Sequence, residues 1–168
     1  MNDLPLHDAP SASAQGFGNS LDYVTVRIGD QLLGLPIGRV QDVFIANRIT
    51  VVPRAPDEIV GLLNLRGRIV TAICLRKRLG RPTPLEPDAQ GSIELTAIGI
   101  DHCGESYALI VDAVGEVVRL DRSTLDPLPV HLDRIWARLA TGVHRLADEL
   151  LVVLDLDAVL DLDLDKAA

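Results

Sequence analysis

From Leu21 onward the chain follows a short-period pattern. In L-D-Y-V-T-V-R-I, Val24, Val26 and Ile28 recur at a spacing of two; Gly29-Asp30 follows, then Q-L-L-G-L-P-I. Period-two apolar positions on both sides of a glycine-containing turn predict a strand–turn–strand hairpin. Pro36 has no N–H to donate, which puts the end of the second strand at an edge or a bulge. R-V-Q-D-V-F-I (Arg39–Ile45) is rich in β-branched residues and reads as extended. Two prolines in P-R-A-P (Pro53–Pro56) break the chain. P-D-E-I-V-G-L-L (Pro56–Leu63) is predicted as a short helix, with proline at its start and acids in its first turn. R-I-V-T-A-I-C-L (Arg68–Leu75) is another strand, and R-K-R-L-G a helical turn closed by Gly80. Leu62, Leu63, Leu65, Ile69 and Val70 read as core, with Arg66 among them. A buried guanidinium costs several kcal/mol unless a carboxylate or carbonyls meet it, so Arg66 is expected to have such a partner.

Residues 1–20 are small, polar and Pro/Gly-containing, and read as a loose tail; residues 161–168 form a second tail. Arg81–Ser92, with three prolines and a glycine, reads as a linker. Beyond it the first pattern returns. At an offset of 74 positions Val24 falls on Ile98, Val26 on Ile100, Leu35 on Leu109, Ile37 on Val111, Val40 on Val114, Asp42 on Glu116 and Val43 on Val117. At an offset of 81, Gly61 falls on Gly142, Leu65 on Leu146, Arg66 on Ala147, Ile73 on Leu154 and Cys74 on Asp155. Two gapless blocks in the same order imply two copies of one unit of about five short strands. The fold class expected is mainly all-β: two small five-stranded barrels formed by internal duplication, with short helices, split as 21–80 and 93–160 within one domain of residues 21–160. For the C-terminal L-D-L-D-A-V-L-D-L-D-L-D, strand and short helix both remain open.

Composition narrows the function. With 48% hydrophobic and only 3% aromatic residues, the chain can bury a core, and that core is aliphatic. A net charge of −8 argues against nucleic-acid binding, which needs basic patches. Two cysteines, Cys74 and Cys103, make no disulfide framework and suit a reducing cytoplasm. No segment reaches the roughly 18 apolar residues of a membrane span, so no membrane insertion is expected.

Catalytic patterns are scarce. There is no G-x-S-x-G elbow and no phosphate-binding loop, and the C-terminal aspartates lack calcium-loop spacing. No metal or other cofactor is expected. Cys74, in an apolar strand, reads as a packed thiol; Cys103 beside His102 is the better nucleophile candidate, without a visible third partner. Trp136 reads as core and the R-K-R run as a solvated helical face. What remains is recognition: small barrels offer edge strands, and two of them create a cleft.

G-L-P-I-G-R-V-Q-D-V-F, I-T-V-V-P-R-A-P-D-E-I-V-G-L-L-N-L-R-G-R-I-V, L-R-K-R-L-G and, later, Y-A-L-I-V-D-A-V-G-E-V and T-G-V-H-R-L-A-D-E-L-L-V-V-L-D-L together resemble the CheW-like family of bacterial chemotaxis coupling proteins, over roughly residues 21–160. The resemblance implies two SH3-like five-stranded barrels and a non-enzymatic adaptor that joins chemoreceptor cytoplasmic tips to the regulatory domain of a chemotaxis histidine kinase. It further implies a cytoplasmic protein, monomeric when free and recruited to inner-membrane receptor arrays. The family's N-L-R-G arginine falls on Arg66, and its glutamate partner on Asp42, one methylene shorter. Contacts to receptor or kinase are expected at Ile37, Val40, Val43, Asn64, Gly67, Val111 and Val114, with core packing the reading for at least one of Ile37, Val40 and Val43, because alternate residues of an extended segment face opposite ways. Where the family commonly has an aspartate, this chain has Cys74, while the second copy keeps Asp155. Two alternatives stand beside this reading: a scaffold of a non-flagellar chemosensory array, controlling pili or a second messenger, and a thiol-dependent enzyme using Cys103.

Overall fold

The computed structural model describes residues 19–81 and 94–162. Most of the expected N-terminal tail, linker and C-terminal tail lies outside the described residues. The order is β1 (Ser20–Ile28), β2 (Gln31–Pro36), a 3-10 turn (Ile37–Arg39), β3 (Val40–Ala46), β4 (Ile59–Leu65), β5 (Arg68–Cys74) and α1 (Leu75–Arg78). Then come β6 (Leu95–His102), β7 (Glu105–Val111), β8 (Ala113–Asp121), a 3-10 turn (Arg122–Thr124), β9 (Leu125–Asp126), α2 (Arg134–Leu139), β10 (Ala140–Arg145), β11 (Leu150–Leu154) and α3 (Leu156–Leu160).

Among the described residues eleven strands build two sheets, ordered β3-β6-β7-β5-β4 and β8-β1-β2-β11-β10-β9. Each sheet is an SH3-like barrel, here called the first and the second. The second has six strands because the two-residue β9 pairs with β10; in the first barrel a single bridge, Thr50 to Leu62, holds that place. The duplication is visible in the details. The ladder is bulged between Ile59 and Gly61 in one copy and between Ala140 and Gly142 in the other. A Cβ at Gly61 would run into the Thr50 carbonyl oxygen, and one at Gly142 would lie 2.8 Å from that of Asp126. Both glycines are there so that a neighbouring backbone can come close.

The copies are not the barrels. β1 and β2, from the first copy, pair with β8 and β11 of the second, while β6 and β7 pair with β3 and β5 of the first. Each copy lends its opening hairpin to the other, so the expected split at 81–92 does not separate the sheets: β5 before it and β6 after it belong to the same barrel. The packing follows the same logic. The first barrel encloses a small, alanine-rich interior with Leu63, Val70 and Ile110. The second encloses Tyr23, Leu32, Leu151 and Val153. The largest cluster takes residues from both sheets and from all three helices, including Ile28, Leu35, Ile98, Leu109, Trp136 and Leu156. The space expected as a cleft between the barrels is therefore occupied by core side chains.

Two local readings are corrected. Pro56–Leu63 holds a strand, not a helix: Leu62 pairs with Thr71 on one side and with Thr50 on the other, and this outweighs the proline-and-acid start signal. The R-K-R run is not a solvated face. Arg76 pairs with Asp112 at 2.6 Å, and Arg78 is buried with its guanidinium against the Ala158 and Val159 carbonyls. The C-terminal ambiguity resolves as the short helix α3. Asp155 caps it by accepting from the Ala158 N–H, a task that Cys74, buried at the matching position before α1, does not perform.

Candidate functional site

Arg66 and Gly67 are the two central residues of the β4–β5 turn, with φ of +54° and +83°. Left-handed conformation at both positions matches the twist of a tight hairpin and demands glycine or a tolerant residue there. Asn64 Oδ1 accepts the Gly67 N–H at 2.9 Å and braces the turn. Arg66 is thus lifted out of the apolar run and its side chain is 80% exposed, against the expectation of a buried cation. The neighbours divide by alternation: Leu63 and Val70 are buried, Leu62 and Leu65 half-buried, and Ile69, expected in the core, is exposed beside Asn64 across the ladder.

Arg66 Nη2 lies 3.3 Å from Asp42 Oδ2. Asp42 stands at the bulge between β3 and β6, and its other oxygen accepts the Val43 N–H at 2.9 Å. An ion pair this exposed is worth about 0–1 kcal/mol rather than the several kcal/mol of a buried one. The same cleft, about 220 Å³, holds a second polar chain that sequence inspection did not single out. Arg68 Nη2 donates to Ser106 Oγ at 2.6 Å, and Ser106 donates to Asp101 Oδ1 at 2.8 Å. Asp101 and Ser106 face each other across the β6–β7 hairpin, whereas Arg68 reaches them from β5.

The other assigned residues separate by exposure. Ile37 follows Pro36 and is 43% exposed; Val43 projects from the edge strand β3, with Ile45 on the same face. Asn64 and Gly67 are exposed at the turn. Val40 and Val114 are half-buried and pack against the central cluster. Val111 is 5% exposed and belongs to that cluster, so it supports the surface from beneath rather than offering contact. Val117, at the place of Val43 in the second copy, is exposed as well.

Cys103 occupies a left-handed position in the β6–β7 turn, with Sγ 3.5 Å from His102 Nε2. His102 Nδ1 faces Asp157 Oδ1 at 3.3 Å, and Arg39, bonded to the same oxygen at 2.8 Å, holds the Asp157 carboxyl below its ordinary range. These contacts tie the turn to α3. Cys74 is buried, as a packed thiol should be. No group of metal-ligating side chains occurs among the described residues, and no helix among them is long and apolar enough to cross a membrane.

Two small barrels sharing one core, with charged pairs and apolar residues displayed on turns and edge strands, define a protein-binding scaffold domain. Residues 22–163 match the CheW-like domain, and the chain belongs to that family of non-enzymatic adaptors. It is 25% identical to the chemotaxis protein CheW of Helicobacter pylori over 143 residues, covering 85% of this chain and 83% of the relative. It is 26% identical to that of Thermotoga maritima over 141 residues, 83% and 87% of the two chains. The crystal structure of the scaffolding protein TtCheW from Thermoanaerobacter tengcongensis superposes with a TM-score of 0.73 at 28% identity, covering 85% of this chain and 94% of that one.

Proposed function

We propose that this chain couples the cytoplasmic tips of chemoreceptors to the regulatory domain of a chemotaxis histidine kinase, as an adaptor recruited to membrane receptor arrays. The observation that carries the reading is the match to the CheW-like domain along nearly the whole described fold. The exposed surface supplies what such a role needs. Ile37 and Val43 stand out of the fold as apolar contact points, and the Arg66 turn adds a charged, braced projection beside Asn64 and Gly67. Val40 and Val114 set the spacing of that surface from below. Asp42 and Arg66 orient the turn, and Arg66 keeps most of its guanidinium available to a partner.

Calorimetry with the regulatory domain of a co-encoded chemotaxis kinase, and separately with a receptor-tip fragment, tests the assignment. Binding of both is expected at micromolar concentrations. Val43→Asp should weaken at least one by about tenfold or more, without lowering the melting temperature, because it places a charge in a desolvated contact. Silence from both partners at about 50 μM would sink the adaptor reading.

A further inference from the structure

The duplication places a counterpart of the Arg66 cleft on the second barrel. At the offset of 74, Asp42 corresponds to Glu116, Gly99 to Thr25, Asp101 to Arg27 and Ser106 to Leu32. Those four counterparts line one open cleft of about 310 Å³, with Val114 and Val118 as apolar wall. The strand ladders explain the match. The β1–β8 ladder is bulged beside Thr25, as the β6–β3 ladder is bulged beside Gly99.

The occupancy of the two clefts differs. In the first barrel the chain's own Arg66, itself mostly exposed, reaches over the rim of the cleft to Asp42. In the second, the residue at the place of Arg66 is Ala147, whose methyl group supplies no cation. The Glu116 carboxylate has no ion-pair or hydrogen-bond partner among the described residues; only its backbone carbonyl is engaged, by Thr25 Oγ1 at 2.6 Å. The one cation of this cleft, Arg27, is committed elsewhere through two bonds to Glu149, at 3.1 and 2.8 Å. Gly115 keeps the floor open, since a Cβ there would lie 2.6 Å from Thr25 Oγ1. What results is a carboxylate at the rim of an apolar-walled cleft, in the geometry that elsewhere in the same chain receives a guanidinium.

We propose that the second barrel's cleft takes an arginine side chain supplied by a protein partner, presented on an exposed turn as Arg66 is. The guanidinium pairs with Glu116 and the methylene stem lies along Val114 and Val118. Lysine fits less well, because a point charge on a strongly hydrated ammonium cannot form the two-pronged contact. Adaptor and partner would then be registered by a pair that the first barrel makes internally and the second leaves half-built.

The test is an amide NMR titration of the full-length chain with acetyl-Gly-Arg-Gly-amide. A single exposed pair of up to about 1 kcal/mol supports only a dissociation constant on the order of hundreds of millimolar, so residue-specific shifts that grow almost linearly with peptide up to about 100 mM are expected. They should fall on Thr25, Gly115 and Glu116, with acetyl-Gly-Lys-Gly-amide giving shifts at least about threefold weaker. Glu116→Gln should abolish the response, and Ala147→Arg should abolish it by filling the cleft from within, each with spectra otherwise unchanged. Shifts that survive Glu116→Gln, that ignore Ala147→Arg, or that never rise above those of the lysine peptide would overturn the proposal. The titration needs no chemotaxis partner, so its outcome is separate from that of the calorimetry.

Discussion

Two arginines invert what their surroundings in the sequence imply. Arg66 stands in an apolar run yet is exposed, while Arg78, in a run of charges, is 4% exposed. Arg78 Nε donates to the Val159 carbonyl at 2.7 Å and Nη2 to that of Ala158 at 2.9 Å, which places a cation against the carbonyl end of α3. Replacing it strands buried carbonyls and opens the central cluster. Arg78→Met should cost about 3 kcal/mol in urea unfolding, and Arg66→Ala no more than about 1 kcal/mol. Equal losses would contradict the placement of both side chains. His144 is the other buried polar residue of consequence. Thr124 Oγ1 spends its proton on the Asp121 carbonyl, so it accepts from His144 Nδ1–H at 3.0 Å, while Nε2 accepts from the Tyr23 hydroxyl at 3.1 Å. The ring is held neutral, and burial pushes its pKa below the ordinary value of 6.5. Below pH 6.5 the unfolded chain takes up a proton that the folded one refuses. Stability therefore falls as the pH drops from there toward the depressed folded pKa, then levels with respect to this group. The carboxylates with lowered pKa values, such as Asp22 and Asp112, act in the same direction only at lower pH. Denaturant titrations between pH 7 and 5 should show this slope, up to about 1.4 kcal/mol per pH unit, and a flatter profile in His144→Gln. An unchanged slope in the variant would remove His144 as its source.

At the scale of elements, glycines decide where strands can run. Gly67 sits at φ +83° in open space, so alanine there meets strain and nothing else. Gly61 faces the Thr50 carbonyl directly, and alanine there must push the bridge apart. Gly67→Ala should cost about 1 kcal/mol, and Gly61→Ala more than about 2 kcal/mol, measured by thermal unfolding. The reverse ranking would mean that turn conformation, not backbone approach, limits this hairpin. The same contrast shows how far sequence reading reaches. β1, β2, β3 and β5 were legible because their apolar period and turn residues are local. β4 was misread as helical because Pro56 and the following acids mimic a helix start, whereas its fate rests on Thr50, a contact outside the segment. Arg78 was misread for the same reason: its acceptors lie some 80 residues further on. The proximity of Arg66 to Asp42 could be anticipated only through family resemblance. Its exposure could not, since it depends on the left-handed turn that lifts the side chain away. Of the Arg68–Ser106–Asp101 chain only the Asp101–Ser106 half is local, across the β6–β7 hairpin; Arg68 reaches it from β5, 38 residues earlier, which no local pattern could signal.

At the scale of the whole molecule, the repeat was legible and the exchange was not. Matching the two copies shows which strands correspond, but the correspondence is satisfied equally whether each copy closes its own barrel or lends its hairpin to the other. The sheets choose the second arrangement: β1–β2 complete the barrel of β8–β11, and β6–β7 complete that of β3–β5. A copy on its own would hold a detached opening hairpin, one strand (β3 or β8) with no neighbour and a β4–β5 or β9–β10–β11 ladder missing its partner strand, and would expose its share of the central cluster that both barrels build together. Such a fragment lacks the burial that offsets chain entropy, so it should not fold alone. Cutting the chain within residues 82–93 therefore separates two pieces that need each other, although the cut falls at the expected boundary between halves. Expressed singly, the piece ending before the cut and the piece beginning after it should show collapsed amide dispersion and no cooperative unfolding. Mixed at equal concentration, they should regain a native-like spectrum and a single, concentration-dependent melting transition, because folding and association become one event. A cooperative transition in either piece alone would show that a copy can close its own barrel, and would refute the exchanged architecture.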